Sequence, residues 1–227
     1  MEGVRLCEEV WRAGVIPALL FYTSEVAAEE RVTRLLQAFA EVGKRGVAVS
    51  EEVMRAISDT QTPPGLLAVV PISEKPPGEG VLLIVDQLRN PGNLGTILRS
   101  SWAAGVGQVV TTKGTVDIYS PKVVRGAMGA HFHLSLTSDK EWGEIEPLLE
   151  ERQILLADAR GEVAYHEVDW SRPSALIIGG EAEGASEEAK RLAHKRVYIP
   201  MPGGAESLNA AVAASIILFE AARRKGT

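Results

Sequence analysis

Val81-Leu82-Leu83-Ile84-Val85-Asp86, continued by Gln87-Leu88-Arg89-Asn90-Pro91-Gly92-Asn93-Leu94-Gly95-Thr96-Ile97-Leu98-Arg99, decides how this chain folds. The first run is apolar up to Asp86 and lacks the polar alternation of a one-sided sheet, so it reads as a strand buried on both faces. Asn90-Pro91-Gly92 makes a turn, and a helix is expected from near Asn93. Strand, tight turn and helix in this order is how α/β proteins present polar groups to a ligand crevice. Gly92 and Gly95 leave room for a ligand or another backbone to approach. The spacing is not G-x-G-x-x-G, which argues against a dinucleotide-binding protein.

The same alternation continues through the rest of the chain. Strand-like runs fall at 108–111, 131–136, 153–157, 174–179 and 196–199, with helical runs at 94–104, 120–127, 140–151, 186–193 and 207–224. Near-continuous apolar strands separated by helices imply a mostly parallel sheet covered on both faces. Ahead of it, residues 1–72 read as a smaller α/β unit. Val4, Cys7, Val10 and Trp11 recur at helical spacing over 3–13, and Val32, Leu35, Leu36, Phe39 and Val42 over 25–42. Strands are expected at 16–22, 47–49 and 66–70, with Ser50 capping a helix between the last two. Ser73-Glu74-Lys75-Pro76-Pro77-Gly78-Glu79-Gly80 is polar, rich in proline and glycine, and aperiodic. It is read as a linker at 73–80, leaving 81–227 as the second domain.

The chain has 227 residues, is 45% hydrophobic and 24% charged, and carries a net charge of −6. That length can bury a real core, and the charge argues against a protein that coats polyanions while leaving a local basic groove open. No apolar run approaches membrane-spanning length and no signal-peptide pattern is seen, so no membrane association is expected. The single cysteine, Cys7, cannot form an internal disulfide, which fits a reducing cytoplasm. His131 and His133 alternate along an expected strand without a third ligand, so no metal site is expected.

Amides are scarce. Asn90, Asn93 and Asn209 are the only asparagines, a usage typical of thermophile composition that draws attention to the two segments holding them. A third segment, Gly179-Gly180-Glu181-Ala182-Glu183-Gly184-Ala185-Ser186, mimics a phosphate-binding loop in its glycine spacing. Ala185 stands where such a loop needs lysine, and two carboxylates would repel polyphosphate, which excludes a nucleotide triphosphatase. The remaining segment, Ile199-Pro200-Met201-Pro202-Gly203-Gly204-Ala205-Glu206-Ser207-Leu208-Asn209, reads as an ordered loop with Ser207 as N-cap of the last helix. Capping does not call for Asn209 on that reading.

In this order the three segments resemble the signature motifs of the SpoU (TrmH-like) ribose methyltransferases of the SPOUT superfamily. The matching residues are Asn93, Gly95 and Arg99, then Gly179-Gly180-Glu181 with Gly184, then Ile199-Pro200-Met201 with Ser207-Leu208-Asn209. Ser120-Pro121-Lys122-Val123-Val124-Arg125 with Gly129-Ala130 is similar to the family as well. Residues 2–70 resemble the ribosomal-protein-like RNA-binding domain often fused ahead of it. That domain usually starts before the Glu2-Gly3 pair, so an initial basic helix is expected to lie outside this sequence.

The resemblance implies an α/β fold whose C-terminal segment threads a deep trefoil knot, against the general rarity of knots. It implies a homodimer packed through the knotted domain and S-adenosylmethionine as cofactor. Leu156, Ala157, Gly179, Gly180, Ile199, Met201, Ser207, Leu208 and Asn209 would hold the cofactor, with Met201 and Leu156-Ala157 near the adenine. Asn93, Arg99, Glu181, Ser207 and Asn209 would form the catalytic set, without metal. The implied reaction methylates a ribose 2′-hydroxyl in structured RNA, 23S ribosomal RNA ahead of transfer RNA. A non-catalytic RNA-binding or assembly factor on the same fold is the reading from a different class. Family proposals make Arg99 the base, yet arginine stays protonated in proteins. Two roles therefore stand open: base, or phosphate clamp with the proton leaving elsewhere. Asn93, Ser207 and Asn209 would orient the hydroxyl and Arg99, and Glu181 would order the cofactor loop or the arginine.

Overall fold

The computed structural model describes residues 1–72, 74–181 and 184–224. Glu183, noted above as a loop carboxylate, lies outside the described residues. The chain divides into two compact units, Met1–Ser73 and Glu74–Thr227.

The first unit contains α1 (Val4–Arg12), β1 (Leu19–Tyr22), α2 (Ser24–Ala27), α3 (Glu30–Glu41), β2 (Val47–Ala48), α4 (Glu51–Ile57) and β3 (Leu66–Val69). Its sheet has the order β2-β1-β3, with β1 parallel to β2 and antiparallel to β3. Leu6, Cys7 and Val10 of α1 and Val32, Leu35 and Phe39 of α3 are buried, as their spacing requires. Ser50 caps α4, its hydroxyl accepting from Val53 N at 3.2 Å. Gly65 sits at φ +72°, and a side chain there would meet Thr23 Oγ1 at 2.8 Å, so the turn before β3 needs glycine.

The second unit contains β4 (Leu82–Asp86), α5 (Pro91–Ala103), β5 (Gln108–Thr112), α6 (Pro121–Ala127), β6 (Leu136–Lys140), α7 (Trp142–Ile145), β7 (Gln153–Ala157), β8 (Val163–Ala164), β9 (Ser174–Gly179), α8 (Glu187–Leu192), β10 (Lys195–Tyr198) and α9 (Ala210–Arg224). The sheet order is β6-β5-β4-β9-β7-β10-β8, and every neighbouring pair is parallel. Side chains alternate between two cores. Leu83 and Val85 of β4 and Leu176 and Ile178 of β9 join α5, α6 and α9 on one face. Leu82 and Ile84, with Ala175 and Ile177, join α7 and α8 on the other. Burial on both faces is why these strands read as continuous apolar runs. Each fully buried leucine contributes about 2 kcal/mol, so Leu83→Ala should cost roughly 2–5 kcal/mol once its cavity is counted.

Several expected boundaries move. The run 131–136 is not one strand: Ala130–Phe132 form a 3₁₀ turn and β6 begins only at Leu136. Met128 and Gly129 take left-handed conformations that reverse the chain just before it, and His131 Nε2 donates to Ile118 O at 2.7 Å instead of facing a sheet neighbour. The expected helix 140–151 is a short α7 followed by a 3₁₀ turn, Glu146–Leu149, because Pro147 cannot continue an α-helix. The stretch read as a linker is tied to the second unit: Ser135 Oγ donates to Lys75 O at 2.8 Å and Gly78 N to Gly107 O at 2.9 Å.

Candidate active site at the carboxyl ends of the sheet

The site is built where β4, β9, β7 and β10 end. Asp86 closes β4 and is fully buried. Its Oδ1 accepts from Thr112 Oγ1 at 2.9 Å and its Oδ2 from Ser186 N at 2.7 Å. It therefore pins the loop after β9 to the tip of β4 and presents no free oxygen to a ligand. Asn90 caps α5, its Oδ1 accepting from Gly92 N at 2.8 Å and Asn93 N at 3.2 Å, so the helix starts at Pro91 and not near Asn93. Gly95 serves packing: a side chain there would meet Gly126 Cα and Val123 O of α6 at 2.9 Å.

After β9 the chain folds back on itself. Gly180 N donates to Gly184 O at 3.1 Å, with Gly184 at φ +72°. A side chain on Gly179 would strike the Gly184 carbonyl carbon at 2.6 Å and Ala185 Cα at 2.8 Å. One on Gly180 would reach Gln87 O at 2.8 Å. The two glycines are the condition for this hairpin lying against β4.

A cavity of about 750 Å³ opens beside it, within the usual range for small-molecule sites. Leu156 and Ala157 from the end of β7 line it, as do Gly179, Gly180 and Glu181. So do Ile199 and Met201, and then Ser207, Leu208 and Asn209. Every residue assigned to a cofactor by resemblance lies on this wall. Asn93 and Arg99 do not. Sequence reading missed a charged wall formed by Asp158, Arg160, Glu187, Lys190 and Arg196. Asp158 and Arg160 follow the end of β7, a position that could have signalled them, whereas Glu187 and Lys190 lie on α8 and Arg196 within β10. Arg196 pairs with Asp158 at 3.7 Å, and Lys190 with Glu187 at 2.7 Å. Lys190 holds the Glu187 carboxyl below its ordinary range. Counting Glu181, three cations face three carboxylates, a balance suited to a zwitterionic ligand.

The last loop corrects one expectation. Ser207 is exposed, and α9 begins at Ala210. Asn209 is its N-cap, with Oδ1 accepting from Ala211 N at 2.9 Å and Val212 N at 3.3 Å. Capping thus does use Asn209, because the orphan N–H groups at the helix start lie two and three residues beyond it.

The same carboxamide begins a relay. Asn209 Nδ2 donates to Asn93 Oδ1 at 3.0 Å, and Asn93 Nδ2 donates to Glu181 Oε1 at 2.7 Å. Residues 116 and 88 positions apart in sequence meet in one hydrogen-bonded line from α9 to the hairpin. Its direction is fixed. Backbone N–H groups of α9 must donate, so Asn209 turns its oxygen toward them and its NH₂ toward Asn93, which in turn gives its NH₂ to a carboxylate. Arg99 stands apart from this cluster, exposed on α5 about 9 Å of helix rise beyond Asn93. Among the described residues no hydrogen bond or ion pair engages it. No group of His, Cys, Asp and Glu suited to a metal occurs among the described residues.

Comparison with known proteins agrees in both units. The MRM3-like substrate binding domain matches residues 1–68, and the SpoU rRNA Methylase family matches residues 80–219. The 23S rRNA (guanosine(2553)-2′-O)-methyltransferase RlmP of Bacillus subtilis is 32% identical, covering 96% of this chain and 86% of its own. Human mitochondrial rRNA methyltransferase 3 is 32% identical over 99% of this chain and 67% of its own length. The crystal structure of the SpoU methyltransferase AviRb from Streptomyces viridochromogenes with AdoMet superposes with a TM-score of 0.87 at 28% identity, covering 99% of this chain and 89% of that one. With the family model spanning most of the chain and two of its three motifs lining one cavity, this chain belongs to the SpoU rRNA methylase family.

Proposed function

We propose that the protein transfers the methyl group of S-adenosylmethionine to a ribose 2′-hydroxyl of ribosomal RNA, of the 23S type. The observation that carries this is the convergence of Gly179-Gly180-Glu181, Ile199, Met201 and Ser207-Leu208-Asn209 on one cavity at the strand ends of a SpoU family chain. The bound cofactor supplies an electrophilic methyl on a sulfonium. Leu156, Ala157, Ile199 and Met201 offer the apolar floor for its adenine, and the hairpin at Gly179 and Gly180 lets backbone come close. The charge-balanced wall suits its amino-acid end. Ser207 and the Asn93–Asn209 pair orient the ribose hydroxyl. Exposed Arg99 clamps an RNA phosphate, the role that fits a permanently charged planar donor.

The unit at 1–72 holds the RNA, which the match to a substrate binding domain supports. Homodimerisation through the second domain is supported by exposed Val212 and Phe219 on α9, 46% and 51% accessible, beside exposed Trp102 on α5. Threading of the C-terminal segment as a trefoil knot is supported by β10, last in sequence, lying between β7 and β8. A cytoplasmic location is supported by the lone, buried Cys7. Among the described residues no helix is long and apolar enough to cross a membrane.

Tritiated methyl transfer onto bulk ribosomal and transfer RNA, followed by mapping of alkali-resistant linkages, tests the reading. Ribose methyl on the large ribosomal RNA is expected. Methyl on a base would refute ribose specificity, and label confined to transfer RNA would refute the substrate. Calorimetry with S-adenosylmethionine separates an enzyme from a non-catalytic assembly factor, which would not bind it at millimolar concentration.

A further inference from the structure

We infer that Glu181 is the proton acceptor for the ribose hydroxyl, with the Asn209–Asn93 relay holding one carboxylate oxygen so that the other faces the substrate. The inference rests on the methyl-transfer reading above. It begins from elimination around the cavity. A base must offer a lone pair that accepts a proton at neutral pH, and arginine does not. No histidine lines the cavity among the described residues. Lys190 is paired with Glu187 at 2.7 Å. Carboxamides and neutral hydroxyls are far weaker bases than a carboxylate.

Three carboxylates remain on the described wall: Asp158, Glu181 and Glu187. Asp158 faces Arg196 at 3.7 Å and accepts from Arg160 N at 2.9 Å. Glu187 faces Lys190. Each of these shares its charge with a cation. Glu181 is held by a neutral amide, Asn93 Nδ2 on Oε1 at 2.7 Å. It is also the one joined through Asn93 to Asn209, the pair that the proposed function sets at the ribose hydroxyl. Oε2 has no hydrogen bond recorded among the described residues, and the side chain is exposed, so water can carry the proton away.

The step balances. The ribose O2′–methyl bond forms as the sulfur–methyl bond breaks, its electron pair staying on sulfur. The O2′–H bond breaks, its pair staying on oxygen, and the proton passes to Glu181 Oε2. A cation and a carboxylate become a neutral thioether and a neutral carboxylic acid. An alcohol oxygen that has gained a methyl is strongly acidic, so an ordinary carboxylate is a sufficient base when the proton moves late in the transfer.

Glu181→Gln keeps the oxygen that accepts from Asn93 and removes the basic one. The measurements are dissociation constants for S-adenosylmethionine and for a ribosomal RNA fragment, and the single-turnover methylation rate with both saturating. Expected are dissociation constants within about threefold of the parent and a rate lower by about 10²–10⁴, the usual contribution of a positioned base. Formate should restore at least tenfold of the rate lost in Glu181→Ala, which a purely architectural residue would not allow. A Glu181→Gln rate within threefold of the parent overturns the assignment. So does a rate loss matched by an equal weakening of cofactor binding, since Glu181 would then act on the loop alone. Failure of the parent protein to methylate ribose would overturn the functional reading instead.

Discussion

Replacing Asn209 by alanine and by aspartate separates two jobs that its carboxamide performs together. Its oxygen caps α9 by accepting from Ala211 N and Val212 N, and its NH₂ donates to Asn93 Oδ1. Asn209→Ala removes both. The lost cap costs about 1 kcal/mol of stability. Asn209→Asp keeps the cap, since aspartate ranks with asparagine and its charge favours the helix N-terminus, so urea unfolding should move by less than about 0.5 kcal/mol. The aspartate has no proton to give Asn93. To pair with it, Asn93 must turn its NH₂ toward position 209 and its oxygen toward the Glu181 carboxylate. One charge-assisted bond is then lost and an acceptor faces an acceptor. At an exposed position that is worth about 1.5 kcal/mol, or roughly tenfold in methyl-transfer rate. Alanine should therefore lower stability and rate together, and aspartate the rate alone. An aspartate variant with parental activity would show that the relay carries no functional weight. An alanine variant with parental stability would show that the cap is supplied by something else.

Two further perturbations follow from the same geometry. Gly179→Ala places a methyl within 2.6–2.8 Å of Gly184 and Ala185 backbone atoms, so the hairpin must open. Cofactor binding measured by calorimetry should fall at least tenfold while Gly203→Ala, which meets nothing within 4 Å, leaves it unchanged. His131 is buried against Ile118 O with its Nδ1 unpartnered among the described residues, and burial holds its pKa below the ordinary value of 6.5. The unfolded chain therefore takes up the proton first. Stability is fully present above pH 6.5 and drains as pH falls from there through the lower folded-state value. Urea unfolding between pH 7.5 and 5.5 should show a slope that His131→Gln reduces; an unchanged slope would mean the ring is not held neutral.

Patterns confined to a few residues carried well from sequence to fold. Leu82 to Asp86 and Ser174 to Gly179 are continuous apolar runs because both faces are buried, and continuity is visible without a structure. The same logic misled at 131–136. Ala130, Phe132 and Leu134 are apolar at every second position and buried, as in a strand, yet they follow a left-handed turn, with Ala130 and Phe132 in a 3₁₀ segment and Leu134 just beyond it. Period two records which residues are buried and not what backbone buries them. The order of strands, and the meeting of Asp86 with Ser186 across 100 positions, depend on long-range pairing that no local window contains.

The scarcity of asparagine acquires a physical reason here. Asn90 caps α5, Asn209 caps α9, and Asn93 joins that second cap to Glu181. The helix end offers donors and the hairpin offers a carboxylate acceptor, so the groups between them must accept at one end and donate at the other. A carboxamide is the neutral side chain that does both in one rigid plane. Serine caps as well but delivers a single rotating proton, and glutamine adds a methylene and a torsion to the span. Ser207 was the more ordinary candidate for the cap by residue type. What excludes it is where α9 begins, and that start is set by Ala211, Ala214 and Ile217 packing under the sheet. The cap's identity is therefore decided by tertiary packing, and the relay that depends on it inherits the same origin.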